Sequence, residues 1–176
     1  MVLNINKTHY WGNVSIPVLE WSNLINQTEI LSNYTLVLVG NGPKESELNN
    51  KLINSVKKKS NIINLANKTN LIELSSIIYF CYFLITNDTG IMHLANLLRK
   101  KNISLFTFSD PKIFADYDNS IIIHNNKHKC QPCVSKSLRG NENYPPNCKY
   151  NFACSNTIKS IDLKKIISDY LNNQGN

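Results

Sequence analysis

Short apolar runs alternate along the chain with segments in which apolar residues recur every three or four positions. The runs predict six strands, at residues 2–5, 35–39, 62–65, 83–85, 103–106 and 121–123. Helices are expected after each of the first four strands and at the carboxyl end, whereas residues 110–119 are expected to form a loop. This alternation is typical of βαβ units with a parallel sheet and right-handed crossovers. Because the strands are short and wholly apolar, helices should cover both faces of the sheet.

The periodicity also assigns residues to the buried faces of these helices. The first helix should begin at Pro17. Asn70 and Glu73 have the spacing of a capping box at the start of the third helix. The residues expected to face inward are Leu19, Trp21, Leu24 and Ile25; Leu48, Leu52, Ile53 and Val56; Leu74, Ile77 and Ile78; Met92, Leu94, Ala95 and Leu98; and Leu163, Ile166, Ile167, Tyr170 and Leu171.

Polar turns follow the second, third and fourth predicted strands, at residues 40–45, 67–69 and 88–93. In parallel α/β folds, ligands bind beyond the carboxyl ends of the strands. The three turns are therefore expected to converge on one crevice.

The turn after the fourth strand reads Asp88-Thr89-Gly90 and opens a helix. Asp88 and Thr89 are suited to capping, and Gly90 lets the backbone approach a ligand closely. Free amide groups at the positive end of a helix dipole favour phosphate, and His93 lies in the first helical turn, within reach of the same anion. A capped loop without a ligand remains an equal interpretation. An aspartic protease is excluded, because that class needs an all-β fold and a second facing carboxylate.

Composition narrows the class of protein. The 176 residues predict one globular domain, and 42% of them are hydrophobic. The net charge is +7, but the lysines are scattered and Asn occurs 28 times, which we interpret as a bias of the coding genome. The sequence therefore gives no reason to expect nucleic-acid binding, and no aromatic and basic platform for bases is visible. No segment has the length and apolarity of a membrane span, so a cytoplasmic protein is expected.

Four cysteines cluster as Cys130-x2-Cys133-x14-Cys148-x5-Cys154. In a reducing compartment this spacing favours a metal site with four thiolate ligands, whose role would be structural because no coordination position stays open. Zinc is the usual occupant, although four thiolates also suit iron. Two disulfides or a chance spacing are the alternatives. Cys81 is expected to be a thiol of the core.

Three stretches, residues 36–45, 64–71 and 86–95, resemble glycosyltransferase family 9, the ADP-heptose heptosyltransferases. The third stretch is similar to the family's Asn-Asp-Thr-Gly-x-x-His-Leu-Ala signature and is the most specific. The resemblance implies an α/β fold with a Rossmann-like parallel sheet, one half of a GT-B enzyme, followed by a four-Cys metal-binding hairpin and a terminal helix. The cysteine cluster resembles the branch that heptosylates autotransporter adhesins, in which a four-Cys iron site is a family feature.

The same resemblance implies roles for individual residues. Asp88, Thr89 and Gly90 would hold the diphosphate and the neighbouring sugar of ADP-heptose, with His93 nearby. Glu45 would accept hydrogen bonds from ribose hydroxyls. Lys68 and Thr69, in the turn at 67–69, would border the adenine. Glu45 is equally interpreted as a favourable charge in a first helical turn, and Lys68 as a solvated loop lysine.

Two departures from the family qualify the resemblance. The family usually places a lysine three residues before the proline of the first helix, where this chain has Val14, and Lys7 or His9 would have to replace it. The amino-terminal acceptor domain, which would carry the catalytic base, is not visible in the sequence. We therefore expect a fragment, a split gene product or a decayed remnant, with the other domain supplied by another chain.

The sequence thus predicts the donor domain of an inverting heptosyltransferase-like enzyme, which acts on a glycan or on a protein such as an autotransporter adhesin. A non-catalytic, metal-stabilised interaction module is the alternative. The expected organisation is a nucleotide-sugar-binding domain at residues 1–125, a metal-binding insertion at 126–156, and a helix at 157–176 that returns to the first domain.

Overall fold

A six-stranded parallel sheet forms the centre of the computed structural model, which describes residues 1–7, 15–57, 61–115, 118–124, 127–133, 148 and 150–172. The strands are β1 (Val2–Asn4), β2 (Leu36–Leu38), β3 (Ile62–Asn64), β4 (Leu84–Asn87), β5 (Asn102–Phe106) and β6 (Ser120–His124). Their order across the sheet is β3-β2-β1-β4-β5-β6, and every neighbouring pair is parallel. The predicted parallel sheet is confirmed.

Helices accompany these strands, and the periodicity predicted each of them except the short helix after β5. They are α1 (Val18–Gln27), α2 (Pro43–Ser55), α3 (Leu71–Phe80), α4 (Gly90–Leu97), α5 (Pro111–Phe114) and α6 (Ser160–Asn172), with short 3-10 helices at Glu29–Asn33 and Ala153–Asn156. The capping box is confirmed: the Asn70 side chain accepts from the amides of Ile72 and Glu73, and the Asn70 amide donates to the Glu73 carboxylate over 2.8 Å. Among the described helices, none combines the length and apolarity needed to cross a membrane.

The sheet is packed on both faces, because successive strand residues point to opposite sides. Leu3 contributes to one cluster and its neighbour Val2 to the other. The first cluster joins the sheet to α1, α2 and α6 through Trp21, Leu24, Leu52, Leu163 and Ile167, and the second joins it to α3 and α4 through Ile78 and Ala95. Each fully buried side chain of this size contributes about 1.5–3 kcal/mol to stability.

Three expectations need correction. Leu19 is 65% exposed, since it lies two residues before Trp21 and so on the opposite side of α1. Residues 110–119 are not wholly loop: the Asp110 side chain accepts from the Lys112 amide over 3.0 Å and caps α5. The edge strands β3 and β6 are only partly covered, with Ile63 47% and Ile122 38% exposed, because each has one neighbouring strand.

Candidate nucleotide-binding site

The turns after β2 and β3 are joined directly at the carboxyl edge of the sheet. The Asn67 amide donates to the Gly40 carbonyl over 3.1 Å, and its side chain accepts from the Gly42 amide over 2.5 Å and donates to the Gly42 carbonyl over 3.2 Å. Asn67 has φ 63° and Gly42 has φ 86°. Both residue types tolerate this left-handed region, which gives the two turns their sharp reversals.

Glu45 is held in the first turn of α2, and it stabilises the preceding loop. Its Oε2 atom accepts from the Asn41 amide over 2.8 Å. A Cβ atom added to Gly40 would lie 2.8 Å from this oxygen and 2.7 Å from Nδ2 of Asn6. Glycine is therefore needed at position 40, where β2, α2 and the end of β1 approach one another.

A chain of asparagine side chains runs beneath these turns from β1 to β3. Asn6 donates to the Val39 carbonyl over 2.9 Å and to the Asn49 side chain over 3.2 Å, and Asn49 donates to Asn64 over 3.2 Å. Asn6 and Asn49 are buried. Since a buried amide is costly unless it is hydrogen-bonded, these contacts fix the edge of the crevice. We did not anticipate this network from the sequence.

The end of β1 also holds the turn between β4 and α4. The Asn4 side chain donates to Oγ1 of Thr86 over 3.1 Å and of Thr89 over 2.8 Å, and the Asn87 side chain donates to the Asn6 carbonyl over 3.1 Å. Thr89 is the residue before α4, but its side chain makes no capping hydrogen bond. Its hydroxyl instead accepts the hydrogen bond from Asn4.

The amino-terminal end of α4 is open. The amides of Met92 and His93 donate to the Thr89 carbonyl, whereas those of Gly90 and Ile91 find no acceptor within the described residues. A Cβ atom added to Gly90 would meet nothing within 4 Å, and Gly90 is exposed. Two amide groups at the positive end of a helix dipole thus have no acceptor among the described residues, an arrangement that attracts anions.

Asp88 is turned toward the protein interior. Its side chain is 14% exposed, and its Oδ2 atom accepts a hydrogen bond from the Ser109 hydroxyl and lies 3.8 Å from Nζ of Lys7. The Lys7 side chain is 3% exposed, and its ammonium lies 3.9 Å from the centre of the Phe108 ring. Burial lowers the pKa of Lys7 to about 8, although the charges of Asp88 and Cys154 act in the opposite direction.

The other predicted contact residues lie at the same carboxyl edge of the sheet. His93 is exposed in the first turn of α4. Lys68, which is exposed, and Thr69, which is half-buried, lie between β3 and α3. Of the two residues that could replace the family's lysine, Lys7 lies at the site and His9 lies outside the described residues. Val14, which has the position of that lysine, also lies outside them.

All four clustered cysteines are free thiols, and so is Cys81. The Cys133 amide donates to the Phe108 carbonyl over 2.7 Å, next to the Lys7 ammonium. Burial, followed by the proximity of Cys130, raises the pKa of Cys133 to about 12, and burial followed by Cys148 and Cys130 raises that of Cys154. Cys133 and Cys154 pack in the same apolar cluster as Phe108.

No metal site is formed within the described residues: no group of three or more His, Cys, Asp or Glu side chains is arranged to hold a metal ion. The predicted hairpin between Cys133 and Cys148 lies outside the described residues. Cys81 is half-buried among the residues of the second core cluster, and burial raises its pKa.

Comparison of the sequence with known protein families identifies the family of this chain. Residues 15–142 match glycosyltransferase family 9 (heptosyltransferase). Lipooligosaccharide heptosyltransferase 2 of Campylobacter jejuni is 31% identical over 108 residues, which cover 59% of this chain and 33% of that protein. The match thus spans about a third of the length of this curated relative.

Solved structures share the fold. The Escherichia coli heptosyltransferase WaaC with ADP has a TM-score of 0.69 at 19% identity, covering 96% of this chain and 43% of that one. The iron-containing dodecameric glycosyltransferase TibC from enterotoxigenic Escherichia coli has a TM-score of 0.65 at 17% identity, covering 96% and 45%. The family match covers residues 15–142, more than half of the sequence, and shows that the chain belongs to glycosyltransferase family 9.

Proposed function

We propose that the crevice binds the nucleotide-sugar donor, ADP-heptose or a related compound, for inverting transfer to an acceptor. The observation that carries this proposal is the open end of α4, where the Gly90 and Ile91 amides have no acceptor among the described residues, at the same edge of the sheet as the joined turns after β2 and β3. The solved WaaC complex contains ADP, which supports adenosine diphosphate as the nucleotide.

Different residues of the crevice bind different parts of this donor. The amides of the Asp88–Gly90 turn bind the diphosphate, with His93 beside it, and stabilise the charge that develops on the departing ADP. Glu45 binds the ribose through its carboxylate, which the Asn41 amide holds in place. Lys68 and Thr69 border the adenine.

A second domain is proposed to supply the acceptor site and the catalytic base. This chain covers 43% of WaaC and 45% of TibC, so those proteins contain about one further domain of similar size. The acceptor is proposed to be a glycan or a protein such as an autotransporter adhesin. We also propose the cytoplasm as the location, because its reducing conditions would keep the four cysteines of the proposed metal site as thiols.

Thermal unfolding with ADP tests the donor site. If ADP is present at 100 times its dissociation constant, binding adds about 2.7 kcal/mol, which corresponds to a rise in Tm of about 5–10 °C. Gly90→Val should fold normally, because a Cβ atom at this position meets nothing within 4 Å, but should abolish the rise by occupying the anion's position. Leu97→Ala, which changes a side chain 81% exposed at the other end of α4, is the control and should retain the rise.

Absence of any rise with millimolar ADP or ADP-heptose in the unaltered protein would contradict the proposal. Combined with bound metal, that result would support the non-catalytic interaction module instead. A rise that Gly90→Val leaves unchanged would show that the nucleotide binds elsewhere.

We further propose that Cys130, Cys133, Cys148 and Cys154 bind a structural metal, either iron or zinc. The donor set supports this, since Cys133 and Cys154 pack in one cluster and none of the four cysteines is engaged in a disulfide. TibC, which shares the fold, is described as iron-containing. Four protein ligands would complete the coordination shell, so the metal would stabilise the segment rather than take part in transfer.

Metal analysis of protein purified without added metal tests this site. One iron or zinc per chain is expected in the unaltered protein, with most of it lost in Cys148→Ser and Cys154→Ser. Cys81→Ser is the matched control, because Cys81 packs in the other part of the core and should not affect metal content. Equal metal in all three variants would disprove the assignment of these ligands.

A further inference from the structure

The proposed diphosphate site contains a negative charge of its own. Asp88 belongs to the turn whose amides face the open end of α4, and a carboxylate beside a diphosphate repels it unless the charge is balanced. Its side chain is only 14% exposed and is directed toward Ser109 and Lys7, not toward solvent.

The order of the strands determines the position of Lys7. β1 lies between β2 and β4, so the residues that follow it emerge in the middle of the carboxyl edge. The Lys7 ammonium lies 3.8 Å from Oδ2 of Asp88, and the side chain is 3% exposed. Contact with the Phe108 ring at 3.9 Å provides a second favourable interaction for the cation.

The ammonium is not explained by ordinary structural pairing. Nζ of Lys7 makes no hydrogen bond to the described residues, and 3.8 Å is too long for one to Asp88. A buried cation without hydrogen bonds is expensive for the fold, and such groups are usually retained for function. The charged and titratable groups that act on it are Asp88 and Cys154.

We infer that Lys7 is a positioning residue of the donor site, whose ammonium balances the Asp88 carboxylate so that the amides of Gly90 and Ile91 present a net positive face to the diphosphate. This inference rests on the proposed donor binding. It assigns Lys7 no contact with the phosphates, because the side chain lies beneath the turn and is almost fully buried.

A charge cycle with two ligands tests the inference. The variants are Lys7→Met, Asp88→Asn and the double variant, and the ligands are ADP and uncharged adenosine, with dissociation constants measured by calorimetry. Lys7→Met should weaken ADP binding by at least about tenfold, since it leaves a carboxylate uncompensated. Adenosine binding should change by less than about twofold, because adenosine carries no charge.

The double variant separates charge balance from direct binding. Removing both charges should restore most of the ADP affinity lost in Lys7→Met, whereas an affinity that stays low would overturn the inference. Equal losses for ADP and adenosine would show a merely structural role and would also overturn it. Lys7→Arg keeps the charge and should retain ADP binding, and Lys7→Gln provides the uncharged variant if Lys7→Met does not fold.

The outcome for the unaltered protein distinguishes the two proposals. If it binds no ADP, the proposed function is wrong and this inference falls with it. If it binds ADP and Lys7→Met binds ADP equally well, only the role of Lys7 is wrong.

Discussion

Asparagine is the residue type whose importance was hardest to predict. Its 28 occurrences were interpreted as genome bias, yet β1, β3 and β4 each end on an asparagine, at Asn4, Asn64 and Asn87. A side-chain amide both donates and accepts, so these residues connect neighbouring strand ends without introducing charge. The signal was present in the sequence, but its meaning depends on which strands are neighbours.

Lys7 illustrates the same limit. The sequence indicated it only as a replacement for a lysine that the family places elsewhere. Its burial and its approach to Asp88 follow from the central position of β1, which the alternation of strands and helices does not specify. The Asp88–Gly90 turn was easier to predict, since strand, turn and helix are contiguous there.

Gly40 offers a test at the scale of one residue. Gly40→Ala should lower the free energy of unfolding by about 1–3 kcal/mol, because the new methyl group would be forced against Asn6 and Glu45. Denaturant unfolding measures this loss. Gly90→Ala, where the methyl group meets nothing within 4 Å, should stay within about 0.5 kcal/mol of the unaltered protein. Equal stabilities of the two variants would contradict the packing described for Gly40.

At the scale of elements, a strong local sequence pattern was sufficient to predict the structure. The capping box of α3 and the buried face of α6 were predicted because both depend on residues close in sequence. The four-residue helix α5 was missed because it is too short for periodicity to be visible, although Asp110 followed by Pro111 is a helix-start signal.

Contacts between elements could not be predicted from the sequence, and those of Glu20 are an example. Its carboxylate, on α1, accepts from the Ser160 amide at the start of α6 over 2.8 Å and from Lys159 over 3.1 Å. Burial raises the pKa of Glu20, but the hydrogen bonds from Ser160 and Lys159 outweigh this effect and hold it below its usual value. The ionised form is therefore favoured in the folded protein.

Glu20→Gln should cost about 1 kcal/mol of stability at pH 7. A carboxyl group whose pKa is lower in the folded state stabilises the protein above its unfolded pKa and loses this contribution as pH falls through the folded value. The difference between variant and unaltered protein in denaturant unfolding should therefore shrink between pH 5 and pH 3. Glu47→Gln, which breaks an exposed pair within α2, is the control and should have no measurable effect. A difference that does not depend on pH would contradict the assignment.

At the scale of the whole molecule, alternating strands and helices predicted the class of fold but not the order of the sheet. Several orders satisfy the same alternation. The observed order makes β1 and β4 neighbours, with β2 and β3 continuing on one side and β5 and β6 on the other. The chain direction across the sheet reverses at this point, and that is where open α/β sheets bind their ligands. The resemblance to glycosyltransferase family 9, which is confirmed, supplied this information indirectly.

The central position of β1 also affects how the chain folds during synthesis. Val2 lies opposite Val37 on one side and Leu84 on the other, so β1 pairs on one side with a segment that is synthesised much later than β1 itself. Until that segment emerges, one flank of the strand has unpaired backbone groups. Completion of the sheet must then wait until β4 has been synthesised, and non-local pairing of this kind is slow and favours chaperone binding in the interval.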